Sequence, residues 1–235
     1  MLTKDDEGKK KNSRERILKA ATNLFGRRGY HATRIEDLTR AAGISRGALY
    51  WHFDSKSDVL AAVVERLRKE YLERFIKEVR AAGPVPMNKI WSAFKFNARF
   101  GAEHTDLVHC LRNLSLELSP SEDNHVRAFF RILERQRNFI VDLIKEAQEA
   151  GNIRTDLTAE TLAAVILAIH DGILLQWAAF KNCLDGRELA WSFRQVILAG
   201  MASDANIIHP KGGSRDLTKI KRKRGTPRNW VKKKG

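Results

Sequence analysis

Cysteine and proline are scarce in this chain of 235 residues, which contains two of the former and five of the latter. Cys110 and Cys183 both lie in apolar helical patterns, far from any C-x-x-C pairing. We therefore predict two reduced thiols in the core and no disulfide. Few prolines and few alternating β-branched runs argue against strands. The sequence predicts an all-α protein.

The motifs of enzyme active sites are also missing. The chain has no P-loop, no G-x-G-x-x-G, no G-x-S-x-G and no H-E-x-x-H. Glu117 and Asp123 are isolated carboxylates, which we interpret as solvated surface. We therefore predict a protein that is not an enzyme and that uses no metal and no cofactor.

Neither a signal peptide nor a membrane span is evident. Residues 1–16 are charged throughout, which differs from the apolar core of a signal peptide. The most apolar run, Leu162–Leu175, is interrupted by His170, Asp171 and Gly172 and is too short for a bilayer. We expect a soluble, cytoplasmic protein without a membrane partner.

Positive charge is abundant but confined to the two ends of the chain. The net charge is +15, with 12 Lys and Arg against 6 Asp and Glu in residues 1–53, and 11 against 1 in residues 211–235. Residues 54–210 are nearly neutral, with 20 against 21. A basic surface favours a polyanionic partner, whereas a neutral centre suits binding of something else.

The most informative stretch is 33–56, which predicts two short helices joined by a tight turn. Thr33 and Glu36 form a T-x-x-E capping box at the start of the first helix. Gly43 supplies the positive φ of a sharp helix exit, and Ser45 caps a second helix over 46–52. This arrangement predicts a DNA-binding helix-turn-helix.

The second helix is predicted to enter the DNA major groove. Its first turn is small or hydrogen-bonding, so it approaches base edges closely, and Arg46 pairs with guanine. The aromatic residues that follow carry N–H or O–H groups for phosphate oxygens. We predict that the DNA-binding residues are Thr33, Arg34, Ser45, Arg46, Gly47, Ala48, Tyr50, Trp51, His52 and Lys56.

These residues carry a family resemblance. The runs A-x-x-L-F-x-x-x-G-Y-x-x-T over 21–33 and A-A-G-I-S-x-G-x-L-Y-W-H-F-x-x-K over 41–56 resemble the N-terminal signature of TetR-type transcriptional regulators. The match covers about residues 13–60, and the remainder resembles the family in length and helical layout. The segment HDGILLQW around Asp171 is similar to the drug-efflux repressor subgroup. The resemblance implies a homodimeric bacterial regulator, associated with the nucleoid when it is bound to DNA.

Helical periodicity and turn residues divide the chain. We predict a disordered arm at 1–11, a three-helix DNA-binding domain at 12–55 and a linker helix at 56–82, closed by Gly83-Pro84. A ligand-binding and dimerisation domain follows at 83–205, and a basic disordered tail at 206–235. Within that domain, we predict helices near 87–103, 106–117, 122–150, 158–182 and 186–202.

The predicted helix at 158–182 is apolar almost all round and so must be buried on several sides. With the stripe of the final helix (Leu189, Phe193, Val196, Ile197, Gly200) it predicts a two-fold four-helix bundle in a homodimer. The frequent aromatic residues of 91–180 indicate either ordinary packing or an apolar ligand pocket. For the pocket, the candidate residues are Phe94, Phe100, Phe130, His170 and Trp177. His170 and Asp171 fit either a satisfied core pair or a ligand contact.

We interpret the chain as a regulator that binds a palindromic operator in double-stranded DNA. As a repressor it would be released by a small hydrophobic ligand, through the tilt of the linker helix. The alternative is a ligand-independent DNA-organising protein of the same fold, whose basic tail either coats DNA or only keeps the protein soluble. Thermal stabilisation by hydrophobic compounds would distinguish the two.

Overall fold

The computed structural model describes residues 4–121, 123–180 and 183–202. Within these residues the chain forms ten α-helices and no strand. Their bounds are α1 Lys4–Arg28, α2 Ile35–Ala42, α3 Arg46–Tyr50, α4 Lys56–Leu67, α5 Arg74–Arg80, α6 Pro86–Glu103, α7 Thr105–Glu117, α8 Asn124–Glu149, α9 Ala159–Phe180 and α10 Gly186–Met201. The all-α prediction is confirmed.

Helix α1 begins earlier than the sequence indicated. We expected a disordered arm over 1–11 and a start near Asn12, but the helix already runs from Lys4. Lysine, which is frequent at the start of the chain, and glutamate are good helix formers. Further along, Ile17, Ala21 and Phe25 are fully buried and pack the helix into the core.

The helix-turn-helix is present, with two corrections to its boundaries. The cap of α2 is Arg34, whose backbone N–H donates to Asp37 Oδ2 at 3.0 Å, so the predicted Thr33–Glu36 capping box was wrong by one residue. Gly43 has a φ of 62° and ends α2 as predicted. Ser45 caps α3 by accepting the Ala48 N–H at 3.1 Å. Helix α3 then ends at Tyr50, two residues early, because the chain turns there towards the buried Phe53.

One long helical path connects the helix-turn-helix to the rest of the protein. Helix α4 passes through a π-helical turn at Arg68–Glu73 into α5, so the path spans 56–80, close to the predicted 56–82. Val63, Leu67 and Phe75 along it are fully buried. The path ends before Gly83, whose φ is 92°.

Two hydrophobic clusters hold these helices in one compact unit. The first cluster extends from Ile17 to Leu143. We call α1–α3 the head; through this cluster the head shares a continuous core with α4, α5 and α8. The second lies among α6, α8, α9 and α10 and includes Ile90, Ile144 and Ile197. We call α6–α10 the body. Its five helices match the predicted ranges to within two residues.

Some expectations for the C-terminal helices were wrong. Cys110 is buried, as expected, but Cys183 is exposed because it lies in the turn between α9 and α10. Helix α9 is not too short for a bilayer. By length and composition alone, its segment Ala159–Trp177 could cross a membrane. Core helices of soluble proteins meet the same criterion. The predicted tail at 206–235 lies outside the described residues.

Candidate DNA interface and ligand cavity

The outer face of α3 presents exposed polar and aromatic side chains. Arg46 lies 3.2 Å from the Glu36 carboxylate (Nη1 to Oε1), and its guanidinium stands 5.5 Å above the Tyr50 ring. Tyr50 and Trp51 are 41% and 58% exposed. Large aromatic side chains are more often buried than exposed, so this face of α3 differs from an ordinary solvated helix surface.

The first turn of α3 is open for close approach. Ser45 and Gly47 are exposed, and Ala48 is half-buried. A Cβ added to Gly47 would meet only the Ser45 hydroxyl, 4.0 Å away. Arg34 lies nearby at the cap of α2 and is also exposed. The side chains of this turn are therefore small enough for the turn to approach base edges in the major groove closely.

Three of the predicted DNA-binding side chains are engaged within the head. Thr33 is fully buried, and its hydroxyl donates to the Gly29 carbonyl at 2.7 Å. Lys56 Nζ donates to the Tyr30 and Thr33 carbonyls, both at 3.0 Å. His52 Nε2 lies 2.6 Å from the Ser13 hydroxyl. In this conformation the Thr33 hydroxyl has no route to a phosphate, and Lys56 and His52 hold the turn that precedes α2 and the end of α3.

A carboxylate that we interpreted as solvated surface instead joins the body to the head. Glu117, at the end of α7, accepts the backbone N–H groups of Tyr30 and His31 at 2.5 and 2.6 Å. Nearby on the same helix, Asn113 Nδ2 donates to the Gly26 carbonyl at 2.6 Å. Asp123 is exposed, as expected, and also caps α8, where bonds from the Val126 and His125 N–H groups lower the pKa of its carboxyl.

The body contains two adjoining cavities of ligand size. One has a volume of about 610 Å³ and lies among α6, α7, α8 and α9. The other measures about 380 Å³ and lies among α6, α9 and α10. Both volumes fall in the range of drug-sized ligand pockets. The two share the wall residues Asn97, Gly101, His170 and Leu174.

All five residues predicted for the ligand line one of these cavities. Phe100 and Phe130 line the larger one, Phe94 and Trp177 the smaller one, and His170 both. Trp177 packs so closely on the start of α10 that a Cβ on Gly186 would lie 2.9 Å from its Nε1. His170 Nδ1 lies 3.5 Å from Asp171 Oδ1, and the Asp171 side chain is 73% exposed. The pair therefore stands at a cavity wall and not within a sealed core.

A buried polar relay crosses the wall of the larger cavity, and the sequence analysis missed it. Gln136 Nε2 donates to the Tyr71 hydroxyl at 2.7 Å, and that hydroxyl donates to Asn97 Oδ1 at 3.1 Å. Burial raises the pKa of Tyr71, and the nearby Asp171 carboxylate adds to the effect. The sequence did indicate that Gln136 is buried. It lies four residues after Ile132 and three before Phe139, which are both buried, so it belongs to the inner face of α8.

A helix-turn-helix with an open reading face and a ligand-sized cavity in the same helical unit is the architecture of a DNA-binding transcriptional regulator. Residues 17–63 match the family of bacterial regulatory proteins called the tetR family, and residues 116–196 match the C-terminal domain of BetI-type transcriptional repressors. The chain belongs to the TetR family.

Relatives with established names agree with this assignment. The transcriptional repressor KstR2 of Rhodococcus jostii is 35% identical over 208 residues, which cover 86% of this chain and 97% of that one. The repressor DhaR of Mycobacterium sp. strain GP1 is 29% identical over 72% of this chain and 84% of its own. The crystal structure of the MbdR regulator from Azoarcus sp. CIB aligns with a TM-score of 0.72 at 30% identity, over 80% of this chain and 98% of that one. This chain is therefore a DNA-binding transcriptional regulator.

Proposed function

We propose that this protein is a repressor that binds a palindromic operator as a homodimer and is released by a small hydrophobic ligand. The main support for this proposal is that α7 contacts both the larger cavity and the head. Its middle lines the larger cavity through Leu111 and Ser115, and its last residue, Glu117, holds the turn before α2. A ligand that displaces α7 therefore also displaces the head.

The ligand chemistry follows from the cavity walls. Phenylalanine and leucine side chains predominate, and a few polar groups such as Asn97 and His170 serve to orient a bound molecule. The fold accommodates small molecules in distant relatives: a FadR structure from Bacillus subtilis (20% identical) contains stearoyl-CoA, and a regulator from Saccharomonospora viridis (23% identical) contains choline.

The apolar outer surface of α9 and α10 supports the dimer. Val165 and Val196 are 47% and 66% exposed, and Ile169 and Trp191 are exposed beside them. Exposed apolar side chains on two neighbouring helices are unfavourable in water. A second copy related by a two-fold axis would cover it and would place two heads for two half-sites about 34–36 Å apart.

Within each head, we propose that α3 enters the major groove with Ser45, Arg46, Gly47 and Ala48 at the base edges. Arg34, Tyr50 and Trp51 contact phosphates, while Thr33, His52 and Lys56 hold the elements that carry them. The bound protein resides on the bacterial nucleoid.

Selection of DNA from a random pool by the full-length protein tests the proposal. We expect enrichment of an inverted repeat whose half-sites are separated by one helical turn or a multiple of it. If all DNA sequences were retained equally, the protein would be a nonspecific DNA-organising protein. If hydrophobic compounds neither stabilised the protein against heat nor lowered its operator affinity, DNA binding would be independent of ligand.

A further inference from the structure

The larger cavity contains a cationic group without a full set of partners. Arg112, on α7, lines the cavity. Its Nη2 donates to Asn113 Oδ1 at a long 3.4 Å. Its Nε–H is buried and has no hydrogen-bond partner within the described structure. Because that Nε–H is enclosed by protein, a ligand in the cavity can meet only the Nη end of the guanidinium. Among the described residues, the one hydrogen bond of that end is the long contact to Asn113, so it can accept further charge-assisted hydrogen bonds.

The two other arginines with buried unpaired nitrogens are accounted for by their surroundings. Arg66 donates through its Nε to Glu70 Oε1 at 2.8 Å. Arg194 places its guanidinium 4.6 Å above the Trp91 ring, an arrangement that stabilises a cation without hydrogen bonds. Arg112 alone among the three combines an unpaired nitrogen with a cavity of about 610 Å³.

The carboxylates of the cavity do not neutralise Arg112. Glu134 and Asp171 also line it, but both are exposed, and neither forms an ion pair with Arg112 in the described part of the chain. Their charges are solvated at the surface of the protein. A second guanidinium, that of Arg137, lines the same cavity. Of the four charged residues that line the cavity, Arg112 is the only one that is not exposed.

We propose that Arg112 binds the oxyanion of an amphiphilic ligand, a carboxylate or a phosphate, whose apolar body lies against Phe100, Phe130 and Leu174. The proposal rests on the ligand-responsive function given above and names the chemical class of the ligand. A guanidinium forms charge-assisted hydrogen bonds to carboxylate and phosphate oxygens. Phenylalanine and leucine walls suit an alkyl or aryl body.

The position of Arg112 also connects ligand binding to the head. The next residue, Asn113, both accepts from the Arg112 guanidinium and donates to the Gly26 carbonyl of α1 at 2.6 Å. An oxyanion that draws the guanidinium into the cavity competes with the Arg112–Asn113 contact. Binding of the anion therefore acts on the same segment of α7 that holds the head.

Calorimetric titration of the full-length protein with four probes of one chain length tests the proposal. Decanoate and decyl phosphate carry the anion, decanol is neutral and decyltrimethylammonium is cationic. We expect decanoate, decyl phosphate or both to bind about tenfold or more tightly than decanol. A ratio of affinities of this size corresponds to one hydrogen bond to a charged group. The comparison of the two anions identifies which oxyanion the site takes.

Variants assign the preference to Arg112. Arg112→Leu should bind decanol as the wild type does and lose the preference for the anion, whereas Arg112→Lys should retain part of it. The matched control Arg135→Leu removes an exposed arginine of α8 that lies outside both cavities and should change nothing.

Several results would overturn the proposal. These are equal binding of decanol and both anions by the wild type, tighter binding of the cation, binding of no probe, or an undiminished anion preference in Arg112→Leu. Release of operator DNA by decanol, with no advantage for the anions, would leave the repressor function intact and remove only the anion site. Unaltered DNA binding with every hydrophobic compound would instead contradict the proposed function itself.

Discussion

Gly29 and Glu117 fit against each other so closely that a Cβ on Gly29 would lie 2.5 Å from Glu117 Oε2. Gly29 also has a φ of 86°, which L side chains rarely adopt. The glycine therefore meets two independent requirements, namely the turn that ends α1 and the approach of the Glu117 carboxylate to the N–H groups of Tyr30 and His31. This contact joins the DNA-binding head to the wall of the ligand cavity.

Removal of the Glu117 carboxylate should loosen the head. Glu117→Ala leaves two backbone N–H groups without their charged acceptor, and hydrogen bonds of this kind contribute about 1.5–3 kcal/mol each. We expect a lower free energy of unfolding and weaker operator binding, measured by denaturation and by fluorescence anisotropy. Glu149→Ala, at an exposed carboxylate at the end of α8, is the control. A Glu117→Ala protein as stable and as tightly bound as that control would refute the role of the contact.

Arg46→Ala should reduce sequence discrimination. The guanidinium is exposed in the first turn of α3 and can pair with guanine O6 and N7, a contact that contributes about 1–3 kcal/mol of discrimination. Tyr50→Phe should instead weaken binding to operator and scrambled DNA alike, as expected for a phosphate contact. Affinities for both DNAs are measured side by side. An unchanged ratio in Arg46→Ala would exclude Arg46 as a base reader.

The polar relay beneath the cavity should stabilise the fold. Tyr71→Phe removes the hydroxyl that accepts from Gln136 and donates to Asn97. It leaves both amides partly unsatisfied, at about 1–3 kcal/mol for a buried polar group. We expect a lower melting temperature, and a double variant that also carries Gln136→Leu should recover part of the loss. Were the single variant as stable as the wild type, the relay would have no structural role.

Charge on the outer face of α10 should prevent dimerisation. Phe193 belongs to the apolar stripe predicted for the interface, but its ring packs against Phe94 of the same chain at 5.4 Å between centroids. Val196, which is 66% exposed, is the better site. Val196→Glu would bury an unpaired carboxylate at the interface and should give monomers in light scattering. Asn138→Glu, at an exposed polar position of α8, serves as the control. A stable Val196→Glu dimer would place the interface elsewhere.

Local signals predicted the helices well, because caps and apolar stripes depend on nearby residues. Gly43 ends α2 and Ser45 caps α3 where the sequence places them. The hydrogen bonds from the Tyr30 and His31 N–H groups to Glu117 could not be predicted. They join residues that are separated in the sequence by 87 and 86 positions.

The same limit applies to the faces of helices. Phe193 and Val196 both belong to the apolar stripe of α10, but only the packing of α6 against α10 decides that Phe193 points inward. All five residues proposed for the ligand line a cavity, and that they bind a ligand stays a prediction. Arg112 was missed because a single arginine in an amphipathic helix carries no signal of its own.

Release of operator DNA by ligand is the most direct test of the central claim. Gly101 lines both cavities and has open space around the position of its missing Cβ, so Gly101→Leu should project a side chain into the region that the two cavities share and obstruct ligand binding there. Anisotropy of a labelled operator fragment is followed while decanoate is added. We predict that the wild type dissociates and that Gly101→Leu binds the same DNA but remains bound. Retention of the operator by the wild type at saturating ligand, or equal release of Gly101→Leu, would contradict the account.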